Sequence, residues 1–164
     1  MKTELFESTE NIEELEAVAE RAFGATPDSA LSEWFSFDEM KKAVGAQRGA
    51  CIKAIDDNGK LLGFIYAQQE NPINGKEGLD KWVIVIAAVE PDVSGKGVGS
   101  LLLKAIEAEA AKSGASKMFV YTNKGDDEVV HFYEKNGYVD AGWIKDYQYG
   151  KDNSAVFLLK YLND

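Results

Sequence analysis

The stretch from Lys81 to Gly114 places the strongest constraint on how this chain can fold. An apolar, β-branched run from Val83 to Val89 is too short for a buried helix and is typical of a strand covered on both faces. Glu90-Pro91-Asp92 ends this run, and apolar residues then recur at helical spacing from Leu101 until Gly114, a residue type that often follows a helix. The pattern predicts a strand, a glycine-rich turn and a helix.

The turn in this unit contains alternate glycines and reads Ser94-Gly95-Lys96-Gly97-Val98-Gly99. The three missing Cβ atoms leave backbone N–H groups free to face an anion at the positive end of the helix dipole, which predicts a phosphate cradle. A P-loop requires Lys and Ser/Thr directly after its last glycine, and a dinucleotide-binding turn requires a third glycine where Ser100 lies, so both fit poorly. A glycine turn needed only for close packing is the structural alternative.

Two segments resemble one known family. Together with the preceding Val89-Glu90-Pro91, the glycine turn resembles the acyl-CoA pyrophosphate loop of the GNAT superfamily of N-acyltransferases, Gln/Arg-x-x-Gly-x-Gly/Ala, with Ser94 in place of Gln or Arg. A later segment is similar to the superfamily's Asn-x-x-Ala-x-x-Phe-Tyr-x-Lys-x-Gly-Phe and reads Asp126-x-x-Val129-x-x-Phe132-Tyr133-Glu134-Lys135-Asn136-Gly137-Tyr138. Asp126 and Val129 depart from that pattern. The two segments follow the family's order and spacing.

The resemblance implies both a fold and a way of holding acyl-CoA. The fold is one α/β (α+β) domain over residues 1–164, with a mixed, twisted, mostly antiparallel sheet of about seven strands and helices on both faces. In the family, two central parallel strands splay apart after a bulge, and the pantetheine arm pairs in that gap like another strand. The residues that the resemblance implies in cofactor binding are Ala88, Val89, Ser94, Gly95, Lys96, Gly97, Val98, Gly99, Asp126 and Tyr133.

Acyl transfer to an amine requires a proton to leave the acceptor, an oxyanion to be stabilised and a thiolate to depart. The resemblance places Tyr133 beside the CoA sulfur, and a phenol with a pKa of about 10 is protonated at neutral pH, as a general acid must be. The general base is less defined, because the predicted strand contains no carboxylate; Glu90, Asp92 and a water remain candidates. His131 is expected to be exposed, since it points away from Phe132 on the same helix.

Composition restricts the class of protein and its partners. The chain has 164 residues, 45% of them hydrophobic, which suffices for one core. A net charge of −10 disfavours nucleic acid and anionic membranes as partners and would attract a cationic acceptor. The single Cys51 excludes an internal disulfide, and one histidine argues against a catalytic metal. We expect a cytoplasmic protein, because no apolar run approaches the ~20 residues of a membrane span and Met1–Glu4 begins no signal peptide.

Local signals predict the N-terminal elements. We expect an edge strand at Leu5-Phe6, followed by a helix. A capping box formed by Asn11 and Glu14 begins this helix, and Gly24 ends it. After a break at Ala25-Thr26-Pro27-Asp28, a second helical stretch follows and restarts at a Ser36 cap. Family relatives build the wall of the acceptor pocket from this region, so three aromatic residues are candidates for substrate contact or for the core: Trp34, Phe35 and Phe37.

The remaining elements follow from turn and strand signals. Asp56-Asp57-Asn58-Gly59 predicts a hairpin between two strands, and the polar Glu70 to Gly78 segment predicts a mobile loop. Lys117 to Thr122 predicts a strand parallel to the organising strand, and a helix from Asp127 follows it. Two antiparallel strands then end the chain.

Together these features predict an N-acetyltransferase that transfers an acetyl group from acetyl-CoA to a primary amine by direct attack in a ternary complex. The acceptor is a small molecule, a polyamine or a protein amino group, so the expected partner is a small-molecule or peptide amine. Nucleic acid and membranes are not expected partners, and homodimerisation stays open. The alternative function is a catalytically silent acyl-CoA-binding module that regulates.

Overall fold

The computed structural model describes residues 1–24 and 31–163, which form one seven-stranded sheet with helices on both faces. The break predicted at Ala25-Thr26-Pro27-Asp28 lies outside the described residues. The strands are β1 (Lys2–Leu5), β2 (Gly49–Ile55), β3 (Leu61–Gln69), β4 (Lys81–Val89), β5 (Lys117–Asn123), β6 (Val139–Ile144) and β7 (Ala155–Tyr161). The helices are α1 (Glu13–Phe23), α2 (Phe37–Gly45), α3 (Lys76–Leu79), α4 (Val98–Lys112) and α5 (Asp127–Lys135).

The strands lie in the order β1-β2-β3-β4-β5-β7-β6, and β4 with β5 is the parallel pair in an otherwise antiparallel sheet. A parallel pair needs a crossover connection, and α4 supplies it. The hairpin between β2 and β3 is confirmed, because the Asp56 carboxylate accepts the N–H groups of Asn58 and Lys60 and Gly59 has a φ of 85°. The predicted fold class is confirmed.

A bulge in β4 separates the two parallel strands. Tyr66 of β3 lies opposite Ile86 and Ala67 lies opposite Ile84, so Val85 has no partner on β3. A bulged residue bends its strand and increases its twist. The pairing of β4 with β5 accordingly stops at Ile84 and Val120, and the last five residues of β4 run without β5 beside them. This opening is called the β4–β5 gap below.

The bulge also changes which face each β4 side chain occupies. Before it, Trp82 and Ile84 belong to the core under α4 and α5; after it, Ile86 and Ala88 belong to the core under α1 and α2. Regular alternation would have kept these four side chains on one face. The extra residue Val85 therefore gives β4 apolar contacts on both faces and explains why its sequence is a continuous apolar run.

Two local predictions are wrong. The Asn11 side chain accepts the N–H of Glu13, so α1 begins one residue after Ile12 and has no capping box with Glu14. The segment from Glu70 to Gly78, predicted as a mobile loop, contains a 3-10 turn (Pro72–Asn74) and the start of α3. Asn71 caps this turn by accepting the N–H of Ile73.

Candidate active site

The β4–β5 gap is bordered by backbone groups at the end of β4. The N–H of Glu90 donates to the carbonyl oxygen of Leu62 at 2.9 Å, which fixes the direction of the alternating backbone groups. Because successive residues of a strand direct their N–H and C=O groups to opposite sides, the backbone of Ala88 faces β3 and that of Val89 faces the gap. Of the two residues expected to pair with a pantetheine arm, Val89 therefore directs its backbone groups into the gap, as Ala87 does, and neither has a strand partner there among the described residues.

The glycine turn after β4 leads directly into α4. Gly95 and Gly97 have φ values of 75° and 85°, in the left-handed region that glycine adopts readily, and nothing lies within 4 Å of where their Cβ atoms would be. The first hydrogen bond of α4 is donated by Leu101 to the Gly97 carbonyl at 3.0 Å, so the three N–H groups at positions 98–100 have no acceptor within the helix. This N-terminus has the open space and donors of an anion site.

The side chains of the turn have separate roles. The Lys96 ammonium donates to the Asp92 carbonyl at 3.0 Å and lies beside the turn, where it adds positive charge. Ser94 ends the short 3-10 turn at Pro91–Val93. The Val98 side chain is buried in the core under α4 and α5, which anchors the first turn of the helix.

Gly99 differs from Gly95 and Gly97, because a neighbouring side chain lies close to where its Cβ atom would be. A Cβ at this position would lie 3.1 Å from the Phe132 ring, closer than ordinary van der Waals contact. The absence of a side chain at Gly99 therefore allows the N-terminal turn of α4 to contact α5. Close packing explains this glycine, whereas left-handed backbone explains Gly95 and Gly97.

Helix α5 brings Tyr133 to the same region. Its ring is buried between Phe132 and Tyr138, with ring centroids 5.1 and 5.3 Å away. The same core cluster contains Ile84 and Val120, the last paired residues before the gap. Burial raises the pKa of the Tyr133 phenol above its usual value, so the phenol stays protonated at neutral pH.

Asp126 is the N-cap residue of α5. One carboxylate oxygen accepts the N–H of Val129 at 3.3 Å, which is the contact of an N-cap residue. The structure therefore gives Asp126 a capping role, and its negative charge interacts favourably with the N-terminus of the helix. His131 on the same helix is exposed, as expected.

Glu90 lies at the end of β4 and is held by an ion pair that the sequence did not reveal. Its side chain is 7% exposed, and Arg21 of α1 donates to both carboxylate oxygens, with Nη2 to Oε1 at 2.6 Å and Nε to Oε2 at 3.0 Å. These hydrogen bonds hold the pKa of Glu90 below its usual range and make it a weak base. Asp92, the other carboxylate candidate, is exposed and lies 3.6 Å from the Lys60 ammonium.

The aromatic candidates near α2 have mostly core contacts. Phe35 and Phe37 are buried against β3, whereas Trp34 is half-exposed and packs edge-on against Phe23 of α1 at 5.2 Å. A cavity of about 630 Å³ lies between α1 and α2 and includes Phe35 and Phe37 in its lining. Because α2 packs on β2 and α1 on β3 and β4, this cavity lies on the flank of α1 away from the β4–β5 gap.

The described ranges 1–24 and 31–163 contain no group of three or more His, Cys, Asp or Glu side chains placed to hold a metal ion. No helix in them has the length and apolar character needed to cross a membrane.

Residues 9–138 match the model of the Acetyltransferase (GNAT) family. This chain belongs to that family. The family resemblance of the glycine turn and of the α5 segment is thereby confirmed, and with it the expectation of an acyl-CoA-dependent acetyltransferase fold.

Individual relatives agree with this family membership. Mycothiol acetyltransferase of Propionibacterium freudenreichii subsp. shermanii is 27% identical over 130 residues, which cover 79% of this GNAT chain and 40% of that relative. An aminoglycoside 6′-N-acetyltransferase complexed with coenzyme A has a TM-score of 0.76 at 18% identity, with 100% and 98% of the two chains covered. The ribosomal-protein-S18-alanine N-acetyltransferase of Escherichia coli has a TM-score of 0.72 at 18% identity, with 99% and 94% covered. The two structures share the fold of this chain.

Proposed function

We propose that residues 1–164 form one domain that transfers an acetyl group from acetyl-CoA to a primary amine by direct attack in a ternary complex. The observation that carries this proposal is the β4–β5 gap, which opens beside the N-terminus of α4. A thioester arm lying in the gap would meet unpaired backbone groups of Val89, and its pyrophosphate would meet the N–H groups of the glycine turn. Family membership supports the same reaction.

Each group of residues has a part in the proposed site. The N–H groups at the start of α4, with Lys96 beside them, bind the pyrophosphate, and Gly95 and Gly97 leave room for it. The backbone of β4 aligns the arm as an added strand. N–H groups that face the gap stabilise the oxyanion that forms when the amine nitrogen attacks the thioester carbon.

Tyr133 is the proposed general acid. As the carbon–sulfur bond breaks, the phenol gives its proton to the departing thiolate, and the raised pKa of Tyr133 ensures that the proton is present beforehand. The proton that leaves the amine goes to water, because the carboxylate of Glu90 accepts hydrogen bonds from Arg21 and is a weak base. The products are the acetylated amine and CoA.

The acetyl donor and the net charge of the chain indicate the cellular compartment and the partners of the proposed enzyme. Acetyl-CoA is an intracellular metabolite, so we place the reaction in the cytoplasm. The acceptor is a small-molecule or peptide amine, and the net charge of −10 opposes nucleic acid and anionic membranes as partners. Homodimerisation stays a prediction, which sedimentation at several concentrations will test.

A matched pair of glycine variants tests the cradle. Gly97 and Gly59 both have a φ of 85° and open space around the missing Cβ, but Gly59 lies in the hairpin between β2 and β3. Gly97→Ala and Gly59→Ala should therefore lose similar stability, about 1–2 kcal/mol, from the left-handed backbone. Only Gly97→Ala should lose affinity for CoA, because its Cβ enters the space proposed for the pyrophosphate.

Isothermal titration of CoA, with thermal melts of the same samples, gives both quantities. The proposal predicts a clear loss of CoA affinity for Gly97→Ala and the parent's affinity for Gly59→Ala. Equal affinities for parent and Gly97→Ala would contradict the placement of the pyrophosphate. A parent protein that binds no CoA would contradict the proposed function itself.

A further inference from the structure

Among residues 1–24 and 31–163, no helix packs on the last three strands of the sheet, β5, β7 and β6, on the face opposite α4 and α5, which is called the open face below. On this face α1 packs on β3 and β4, and α2 packs on β2. Met118 and Val120 of β5 face the α4 side, so the alternating residue Tyr121 faces the open side. Within the described residues, Tyr121 is 38% exposed although its ring is largely apolar. It is also the first residue of β5 beyond the pairing with β4, so it borders the gap.

Three aromatic rings form one surface at this point. Tyr147, from the connection between β6 and β7, lies with its ring centroid 5.1 Å from that of Tyr121 and 4.9 Å from that of Phe157. Tyr121 and Phe157 are 5.5 Å apart on neighbouring strands. Tyr147 is 48% exposed, so the cluster presents ring surface to solvent. We call Tyr121, Tyr147 and Phe157 the aromatic surface.

The connection that carries Tyr147 is held in place by hydrogen bonds. The Gln148 side chain donates to the Asn123 side chain at the end of β5, at 2.5 Å, and the Gln148 N–H donates to the Asn153 carbonyl at 3.1 Å. The Asp146 carboxylate accepts the N–H of Asp152 at 2.8 Å, within the same connection. The aromatic surface is therefore preorganised, and its three side chains carry no charge.

The position of this surface determines what it would contact. In the proposed function the pyrophosphate binds at the N-terminus of α4, so the donor lies on the α4 and α5 side of the gap. An acceptor must reach the thioester carbon from the side that the donor leaves free. That side is the open face, and the aromatic surface borders the gap there.

We infer that Tyr121 and Tyr147 bind the body of the acceptor, and that this acceptor is a primary amine carrying an aromatic ring close to its amino group. The inference rests on the proposed function and narrows its substrate class. Aromatic rings pack favourably against ring surfaces in edge-on or offset arrangements, and an aliphatic polyamine has no ring to pack in this way. Specificity would then come from ring contacts and not from the acidity of the chain.

The test compares kcat and KM for 2-phenylethylamine, hexylamine and spermidine, with CoA release measured at saturating acetyl-CoA. The parent should have the highest kcat/KM for 2-phenylethylamine. Tyr121→Ala and Tyr147→Ala should each raise the KM for that amine by about 2- to 12-fold, the range for loss of one aromatic pair, and leave the KM for acetyl-CoA unchanged. Tyr121→Phe should retain the parent's KM, because the ring persists.

Two tyrosines serve as matched controls. Tyr161 lies on the same face of β7 as Phe157. It pairs with Lys117 of β5, which is four residues before Tyr121, so Tyr161 lies roughly 13 Å from Tyr121 along the strands. Tyr149 belongs to the same connection as Tyr147 and is 99% exposed. Tyr161→Ala and Tyr149→Ala should leave all constants at parent values. Thermal melts identify a variant that fails to fold, and Tyr121→Leu then replaces Tyr121→Ala.

The results separate the two proposals. Turnover of amines with a preference for spermidine, or an unchanged KM for 2-phenylethylamine in both alanine variants, would overturn the inference and leave the proposed function standing. A parent enzyme that uses none of the three amines would also overturn the inference. Absence of CoA binding would overturn the proposed function.

Discussion

Replacing Tyr133 by Phe tests the proposed general acid with the loss of one oxygen atom. The ring packs between Phe132 and Tyr138, and these contacts persist in the variant, so the free energy of unfolding should change by about 1 kcal/mol or less. The hydroxyl is the proton donor for the thiolate, so kcat should fall. Acetyl-CoA affinity should stay close to that of the parent, because the pyrophosphate contacts are elsewhere.

The pKa values indicate the size of this effect. General acids contribute typically 10²–10⁴-fold. Burial holds the Tyr133 pKa above its usual value of about 10, whereas a departing thiolate has a pKa near 8.5, so proton transfer is uphill by at least about 2 kcal/mol. A thiolate can also leave without a proton. We therefore expect a fall of about 100-fold, equivalent to roughly 2.7 kcal/mol in the barrier.

Tyr138→Phe is the matched control for this experiment. Tyr138 contacts the Tyr133 ring, and burial together with the Glu107 carboxylate raises the pKa of its hydroxyl. Its removal should leave kcat unchanged. Stopped-flow or steady-state CoA release, with acetyl-CoA titration and thermal melts, measures all three proteins. An unchanged kcat for a folded Tyr133→Phe would refute the acid, and an equal loss in Tyr138→Phe would assign the effect to packing.

Three further changes test other parts of the structure. Gly99→Val directs atoms at the Phe132 ring, so the melting temperature should fall further than in Gly97→Ala, and CoA affinity should fall with it. Arg21→Ala removes the ion-pair partner of Glu90. Because the pKa of Glu90 in the folded protein lies below its ordinary 4.5, the ion pair stabilises the fold above pH 4.5, and this stabilisation is lost as the pH falls through the folded-state pKa. The melting temperatures of parent and variant should therefore differ near neutral pH and converge in acid. Parallel curves would contradict this. Deleting Val85 removes the bulge and should abolish CoA binding in a protein that still melts cooperatively.

Local signals in the sequence were enough to predict most of the helices and strands, whereas the family resemblance implied the sheet that they form. The apolar run of β4, the Asp-rich hairpin before β3 and the helix that Gly114 ends are each determined by neighbours in sequence, and all three appear as predicted. Gly114 and Gly137 have φ values of 89° and 92°, as expected for residues that follow helices. The capping box at Asn11 was wrong because its side chain bonds the nearer N–H of Glu13 instead.

The features that shape the site depend on contacts distant in sequence. An all-apolar strand shows no alternation, so the bulge at Val85 leaves no trace in the pattern of β4. The partner of Glu90 is Arg21, 69 positions earlier, on a helix that the sequence describes only as amphipathic. The sequence predicts that Gly99 binds phosphate with the other glycines, whereas its contact with Phe132 depends on how α4 and α5 pack against each other.

The most direct test of acetyl transfer is mass spectrometry of an amine panel after incubation with acetyl-CoA and the purified chain. The proposed reaction predicts that at least one primary amine gains the mass of one acetyl group while CoA is released in equal amount. Tyr133→Phe should form the same product more slowly. A chain that binds CoA tightly but leaves every amine and the thioester intact would contradict the proposed enzyme and identify a silent acyl-CoA-binding module.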